Sequence, residues 1–134
     1  MDTVLLVTAC IFLGIAAAVH VFIFYLESIA WSAPETWRRF GLRSQAEADT
    51  VKPMAYNQGY YNAFLAVGAV LGLVFLATPA LQQAGFALSI FSAMSMVTAA
   101  TVLATSSPKP AGAALVQGAV PLVATVLLIW SLMA

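Results

Sequence analysis

The sequence predicts an all-α membrane protein, a bundle of four spanning helices with a short amphipathic segment between the first and second. Three observations predict it. Of 134 residues, 63% are hydrophobic and only 7% charged, where a soluble domain carries about 25% charged residues. Mean hydropathy is +0.98. The apolar residues also fall into four runs, each long enough to cross a hydrocarbon core of ~30 Å at ~1.5 Å per residue. The spans read as about 3–31, 54–77, 84–105 and 111–133, in one integral membrane domain covering residues 1–134. The formal net charge is zero, which gives no reason to expect a nucleic-acid partner. Cys10 is the single cysteine and lies in an apolar run, so no intrachain disulfide forms and the residue reads as small core.

The first run starts at Thr3 and continues past Glu27 to Trp31. Ala16, Ala17 and Ala18 mimic a signal-peptide cleavage site, but no basic residue precedes the run and Phe22, Ile23 and Phe24 extend it. It therefore reads as a retained span. Residues 32–53 form the charge-rich segment. Ser32 to Glu35, with Pro34 in the first turn, reads as a capping box that starts a short surface helix. That helix carries Trp37, Arg38, Arg39 and Phe40 to the headgroup level and stops at Gly41. Ser44 to Glu47 is a second capping box. It admits two starts for the second long helix, at Gln45 with Pro53 as a kink, or at Pro53 itself. Thr78 and Pro79 break that helix. Ser106, Ser107, Pro108, Lys109 and Pro110 break the third. Pro121 lies inside the fourth, which ends near Trp130.

Orientation follows from the five basic residues. Arg38, Arg39, Arg43 and Lys52 lie in the first connection and Lys109 in the third. The positive-inside rule puts both of those connections in the cytoplasm and both termini outside a cytoplasmic membrane. Small residues four apart supply close-contact faces: Gly14 with Ala18, Gly68 with Gly72, Ser89 with Ala93, and Ala114 with Gly118.

The second span opens with more amide than a lipid-facing helix tolerates. Asn57, Gln58 and Asn62 each carry donors and acceptors that hydrocarbon cannot satisfy. Measured from Trp31 and Met54, Glu27 lies ~6 Å inside and His20 ~16 Å, while Asn57 and Gln58 lie ~5 Å inside and Tyr61 and Asn62 ~11 Å. On antiparallel neighbours Glu27 should meet Asn57 and Gln58, with His20 deeper, toward Tyr61 and Asn62. His20, Phe24, Glu27 and Trp31 fall on one face of an ideal α-helix. Gln117, level with Tyr61, closes the cluster from the fourth helix. Tyr56, Tyr60 and Trp37 read as interface anchors, and Met94 and Met96 as apolar fill.

Every member has a plainer reading. Glu27, Asn57, Gln58 and Asn62 also serve as hydrogen-bonded glue between helices, and His20 as a satisfied core histidine. One histidine does not make a bis-histidine haem site. His20 and Glu27, ~10 Å apart along the axis, do not share a metal, so no metal site is expected. No nucleophile triad, phosphate loop or cysteine pair is present. What remains is acid/base or hydrogen-bond chemistry, and no cofactor is indicated.

The stretches His20 to Glu27, with Trp31, and Tyr56, Asn57, Gln58, Gly59, Tyr60, Tyr61, Asn62, Ala63, Phe64 and Leu65 resemble the small bacterial integral membrane proteins grouped as domain of unknown function 1304. The resemblance covers nearly the whole chain and implies a membrane protein without an established reaction. Three functions then compete. The first is binding or modification of a small lipid-soluble molecule at a polar pocket in the cytoplasmic half, through His20, Glu27, Asn57, Gln58, Tyr61, Asn62 and Gln117. The second is proton-coupled transport using Glu27. The third is a structural or accessory subunit. Membrane lipid is the expected partner, with room for a small hydrophobic ligand and for a homo-oligomer.

Reporter fusions at Ala134 and near Gln83 should both read as external. A cytoplasmic signal at either would overturn the orientation.

Overall fold

A computed structural model describes residues 2–106 and 111–134. Asp2 caps α1 (Thr3–Phe24), its Oδ1 accepting from the backbone N–H of Val4 at 2.8 Å and of Leu5 at 3.1 Å. The helix does not stop at Phe24. It widens into a π-turn, Tyr25–Ile29, closed by the Ala30 N–H on Tyr25 O at 2.8 Å. A short helix α2 (Pro34–Trp37) follows and tightens into a 3₁₀ turn, Arg38–Phe40. Gly41 ends it with φ +84°, a left-handed conformation that glycine adopts without strain. The N-cap of α2 is Ala33, without a side-chain bond. Ser32 does not cap it; its Oγ instead accepts from Lys52 Nζ at 3.0 Å.

The second long helix takes the earlier of its two starts. α3 (Gln45–Leu76) runs through Pro53. Ser44 Oγ accepts from the Glu47 N–H at 3.2 Å, and Glu47 Oε2 reaches back to the Arg43 N–H at 2.8 Å. The added turns carry a small core of their own, in which Trp31, Trp37, Ala48 and Ala55 are buried against Leu42 and Val51. Trp31 Nε1 donates to Ala48 O at 3.0 Å. Trp37 is therefore a buried strut rather than a headgroup anchor. Trp31 and Trp37 place their large apolar rings against the first turns of α3.

α4 (Gln82–Ser106) follows a 3₁₀ turn, Pro79–Leu81, and α5 (Ala111–Met133) runs through Pro121. The break expected at Ser107, Pro108, Lys109 and Pro110 lies outside the described residues, and Lys109 with it. No strand occurs among the described residues. Four helices, Thr3–Ile29, Gln45–Leu76, Pro79–Ser106 and Ala114–Met133, are long and apolar enough to cross a membrane, which makes this a multi-pass membrane protein. α1 and α4 each pack on both α3 and α5.

Bulk faces outward. Val4, Val7, Ile11 and Ile15 are exposed, while the interior is Ala9, Ala16, Ala17, Ala66, Ala69, Ala93 and Ala124, with Leu13, Met96 and Leu128 between them. Lipid is as apolar as leucine, so helices associate through close packing, and small residues permit it. The α3–α4 seam shows this directly. A Cβ on Gly72 would lie 2.9 Å from Ser89 N and 3.0 Å from its Cα, and one on Gly85 would lie 2.8 Å from Phe75 C. Gly68 faces Ser92, and Gly118 faces Ala100. The Gly14 and Ala18 pair does not behave this way. Nothing lies within 4 Å of a Cβ on Gly14, and Ala18 is exposed. The adjacent line of Leu13, Ala16 and Ala17 makes the contacts of α1 instead.

Gly72→Ala should lower stability by about 1–3 kcal/mol, because its Cβ meets backbone that cannot rotate away. Gly14→Ala should be neutral or slightly stabilising, since it only raises helix propensity. Melting temperatures of the two variants in detergent decide this; equal shifts would refute the packing argument.

Candidate functional site

The site begins at the π-turn. α3 has a glycine opposite it: a Cβ on Gly59 would overlap Ser28 Oγ and lie 3.1 Å from both Glu27 Cβ and Ser28 N. With hydrogen there, α1 and α3 meet closely, and Ser28 Oγ donates to Tyr56 O at 2.9 Å. Glu27 is carried one turn deeper along α3. Its Oε2 accepts from Asn62 Nδ2 at 3.0 Å, and the same amide donates to Gln58 O at 3.0 Å. The bond to Glu27 thus comes from Asn62, not from Asn57 or Gln58 at its nominal depth. Both of those residues are exposed, while Glu27 and Asn62 are half-buried. Depth counted along two straight helices misses the offset that the Ser28–Tyr56 bond sets.

Beside this pair lies a cavity of about 600 Å³. Its apolar walls include Val19 and Ile23 of α1, Leu26 of the π-turn, Leu65 of α3, Leu103 of α4 and Val116 of α5. Its polar groups are Glu27, Gln58, Tyr61, Asn62, Gln117 and Arg39. Five sequence candidates, Glu27, Gln58, Tyr61, Asn62 and Gln117, therefore share one space. Gln117 is half-buried there, and the next residues of its line, Pro121 and Thr125, are buried, with Thr125 Oγ1 donating to Pro121 O at 2.9 Å.

His20 and Asn57 are not in the cavity wall. His20 is fully buried, and its Nδ1 lies 2.9 Å from Ala16 O. A carbonyl only accepts, so Nδ1 carries a proton, and the buried Nε2 meets no hydrogen-bond partner among the described residues. The helical wheel failed for a specific reason. A π-turn closes i→i+5 bonds instead of i→i+4, so residues within it lag the α-helical phase. The lag turns Glu27 off the His20 line and toward that of Val19 and Ile23. Asn57 lies outside because the cavity follows the Gln58 and Asn62 line of α3.

Arg39 and Phe40 belong to the cavity although the sequence places them at the headgroups. Phe40 is held against Trp31, ring centroids 5.1 Å apart, and Trp31 is tied to Ala48. The signal was present in the Arg38, Arg39 and Phe40 run, but not its fold back over the bundle. Tyr56 and Tyr60 stay exposed, as expected of anchors, in an aromatic row with Phe24 and Phe64. Among the described residues, no group of three or more His, Cys, Asp or Glu side chains gathers as a metal site would require.

A family model described as "Protein of unknown function (DUF1304)" matches residues 14–129. No curated protein and no solved structure matches the chain.

A double-mutant cycle of Glu27→Ala and Asn62→Ala should give a coupling of about 0.5–3 kcal/mol. Asn57→Ala and Gln58→Ala should each stay within about 0.5 kcal/mol of wild type, as exposed substitutions do. Unfolding in detergent measures all four; additive effects of Glu27→Ala and Asn62→Ala would remove their bond from the site.

Proposed function

We propose that this chain, which belongs to the DUF1304 family of proteins of unknown function, binds a small lipid-soluble molecule in the cavity among its helices. The observation that carries the reading is the cavity itself, about 600 Å³ with aliphatic walls and a few convergent polar groups. Small-molecule sites take this form, with volumes of about 300–1,000 Å³. Helix glue needs the Glu27–Asn62 bond but no space beside it. Leu26, Leu65, Leu103 and Val116 receive an apolar body, while the Gln58 and Gln117 amides offer donors and acceptors to a polar end and Asn62, its two N–H groups taken by Glu27 and Gln58 O, offers its Oδ1 as an acceptor. Glu27, on the same wall, is an ionisable group inside a span, a position that is costly to keep without use. In this reading the Arg39 end of the cavity faces the cytoplasm, the side that the positive-inside rule expects for the first connection.

The test uses a photoreactive analogue of dodecanol on the purified protein in lipid nanodiscs, with labelled residues mapped by mass spectrometry. Leu65 and Leu103 should be labelled, and excess dodecanol should compete. Ala99→Trp fills the cavity from α4 and should abolish that labelling while leaving the melting temperature unchanged or raised. Labelling confined to lipid-facing residues such as Val7 and Phe91, and indifferent to Ala99→Trp, would overturn the proposal. Glu27→Gln should keep the fold, because an amide still bonds Asn62. Unchanged labelling in that variant would remove Glu27 from ligand binding.

A further inference from the structure

Among the described residues, the cavity has two charged residues in its wall, Glu27 and Arg39, and they are not equivalent. Glu27 lies on a spanning helix and is engaged: its Oε2 takes the Asn62 amide at 3.0 Å. Arg39 comes from the 3₁₀ turn after α2, outside the spanning helices, and is exposed. Its neighbour Arg38 is occupied differently, its guanidinium carbon 5.2 Å from the centre of the Trp37 ring. Of two adjacent arginines, one stacks on the buried Trp37 and the other borders the cavity.

The segment that carries Arg39 is braced through Phe40. Gly41 terminates the turn, Phe40 packs on Trp31, and Trp31 donates to Ala48 O. Arg39 is thus brought to the cavity wall by a braced turn rather than by a free loop. A planar, permanently charged fork at such a boundary suits a carboxylate or phosphate, which it binds through paired charge-assisted hydrogen bonds. An anion placed deeper would meet Glu27. At Arg39 it is paired and close to water, with its chain free to run past Leu26 and Leu65 toward Val19.

We infer that Arg39 reads an anionic head group, so that the cavity takes an anionic amphiphile with its head at the α2 end and an alkyl or acyl chain between the helices. This rests on the reading of the cavity as a ligand site and names the class of ligand and the residue that selects it. Neutral amphiphiles fit the same slot and lack the partner for Arg39. Cationic ones would bring a like charge to Arg39 at the edge of the slot.

The experiment compares dodecanoate, dodecanol and dodecylammonium as competitors of the photoreactive dodecanol analogue, in nanodiscs of zwitterionic lipid. On the wild-type protein, dodecanoate should compete at about tenfold lower concentration than dodecanol or better, the scale of one charge-assisted bond. Arg39→Gln should erase that advantage while dodecanol competes as before, and Arg39→Lys should restore part of it. Nanodiscs containing phosphatidylglycerol identify the source. Displacement of the probe by that lipid in the wild type, and not in Arg39→Gln, supports an anionic bilayer lipid as the natural occupant. Absence of displacement supports a free amphiphile. Equal competition by dodecanoate and dodecanol on the wild type, or an advantage that survives Arg39→Gln, overturns the inference and leaves the cavity a neutral ligand site. Preference for dodecylammonium, lost in Glu27→Gln, overturns it in favour of Glu27. Failure of every probe to label the cavity is a separate result, and it removes the site itself.

Discussion

The close approach of the α1 π-turn to Gly59 is the contact on which the polar half of this protein depends. A side chain at residue 59 would collide with Ser28 and crowd Glu27. Without one, Ser28 bonds a backbone carbonyl of α3, and that bond sets the register of the two helices. The register delivers Glu27 to Asn62. The π-turn then does a second thing, because its wider winding rotates Glu27 away from the buried His20 line and onto the cavity wall. Glycine, serine and π-turn act together, and the carboxylate goes where they put it.

The same packing rule explains why the cavity lies where it does. Along the α3–α4 seam the glycines Gly85, Gly72 and Gly68 draw backbone against side chain. Toward the start of α3 no further glycine faces α4, because Gly59 is turned to α1. The larger residues of that region, Tyr61, Leu65 and Leu103, line a space that they do not close. The buried tryptophans of the first connection complete the arrangement by bracing a charged turn over the opening.

Much of this was legible in the residues. Hydropathy alone fixes four spans, because lipid demands long apolar helices with satisfied backbones. Ser44 and Glu47 announce the start of α3, and Gly41 the end of the surface turn, since caps are local chemistry. Amide-rich Gln58 and Asn62, with Tyr61 and Gln117, point to a shared polar space, and the cavity holds all four with Glu27. Other features were not legible for physical reasons. A π-turn has no strong sequence mark, so the face of His20 and Glu27 was drawn on the wrong period. Gly14 and Gly72 have the same spacing signal, but one faces open space and the other a serine backbone.

The sequence by itself determined that this chain is a four-helix membrane bundle with polar groups near one end of its second helix. It determined this because burial of backbone in lipid and local capping depend on residues near one another in the chain. Only the tertiary structure decided which polar groups meet. Asn62 rather than Asn57 bonds Glu27, His20 lies buried apart from the cavity wall, and Arg39 comes from the connection to border the cavity. These outcomes depend on helix offset, rotation and the fold-back of a loop, each set by contacts between residues distant in sequence.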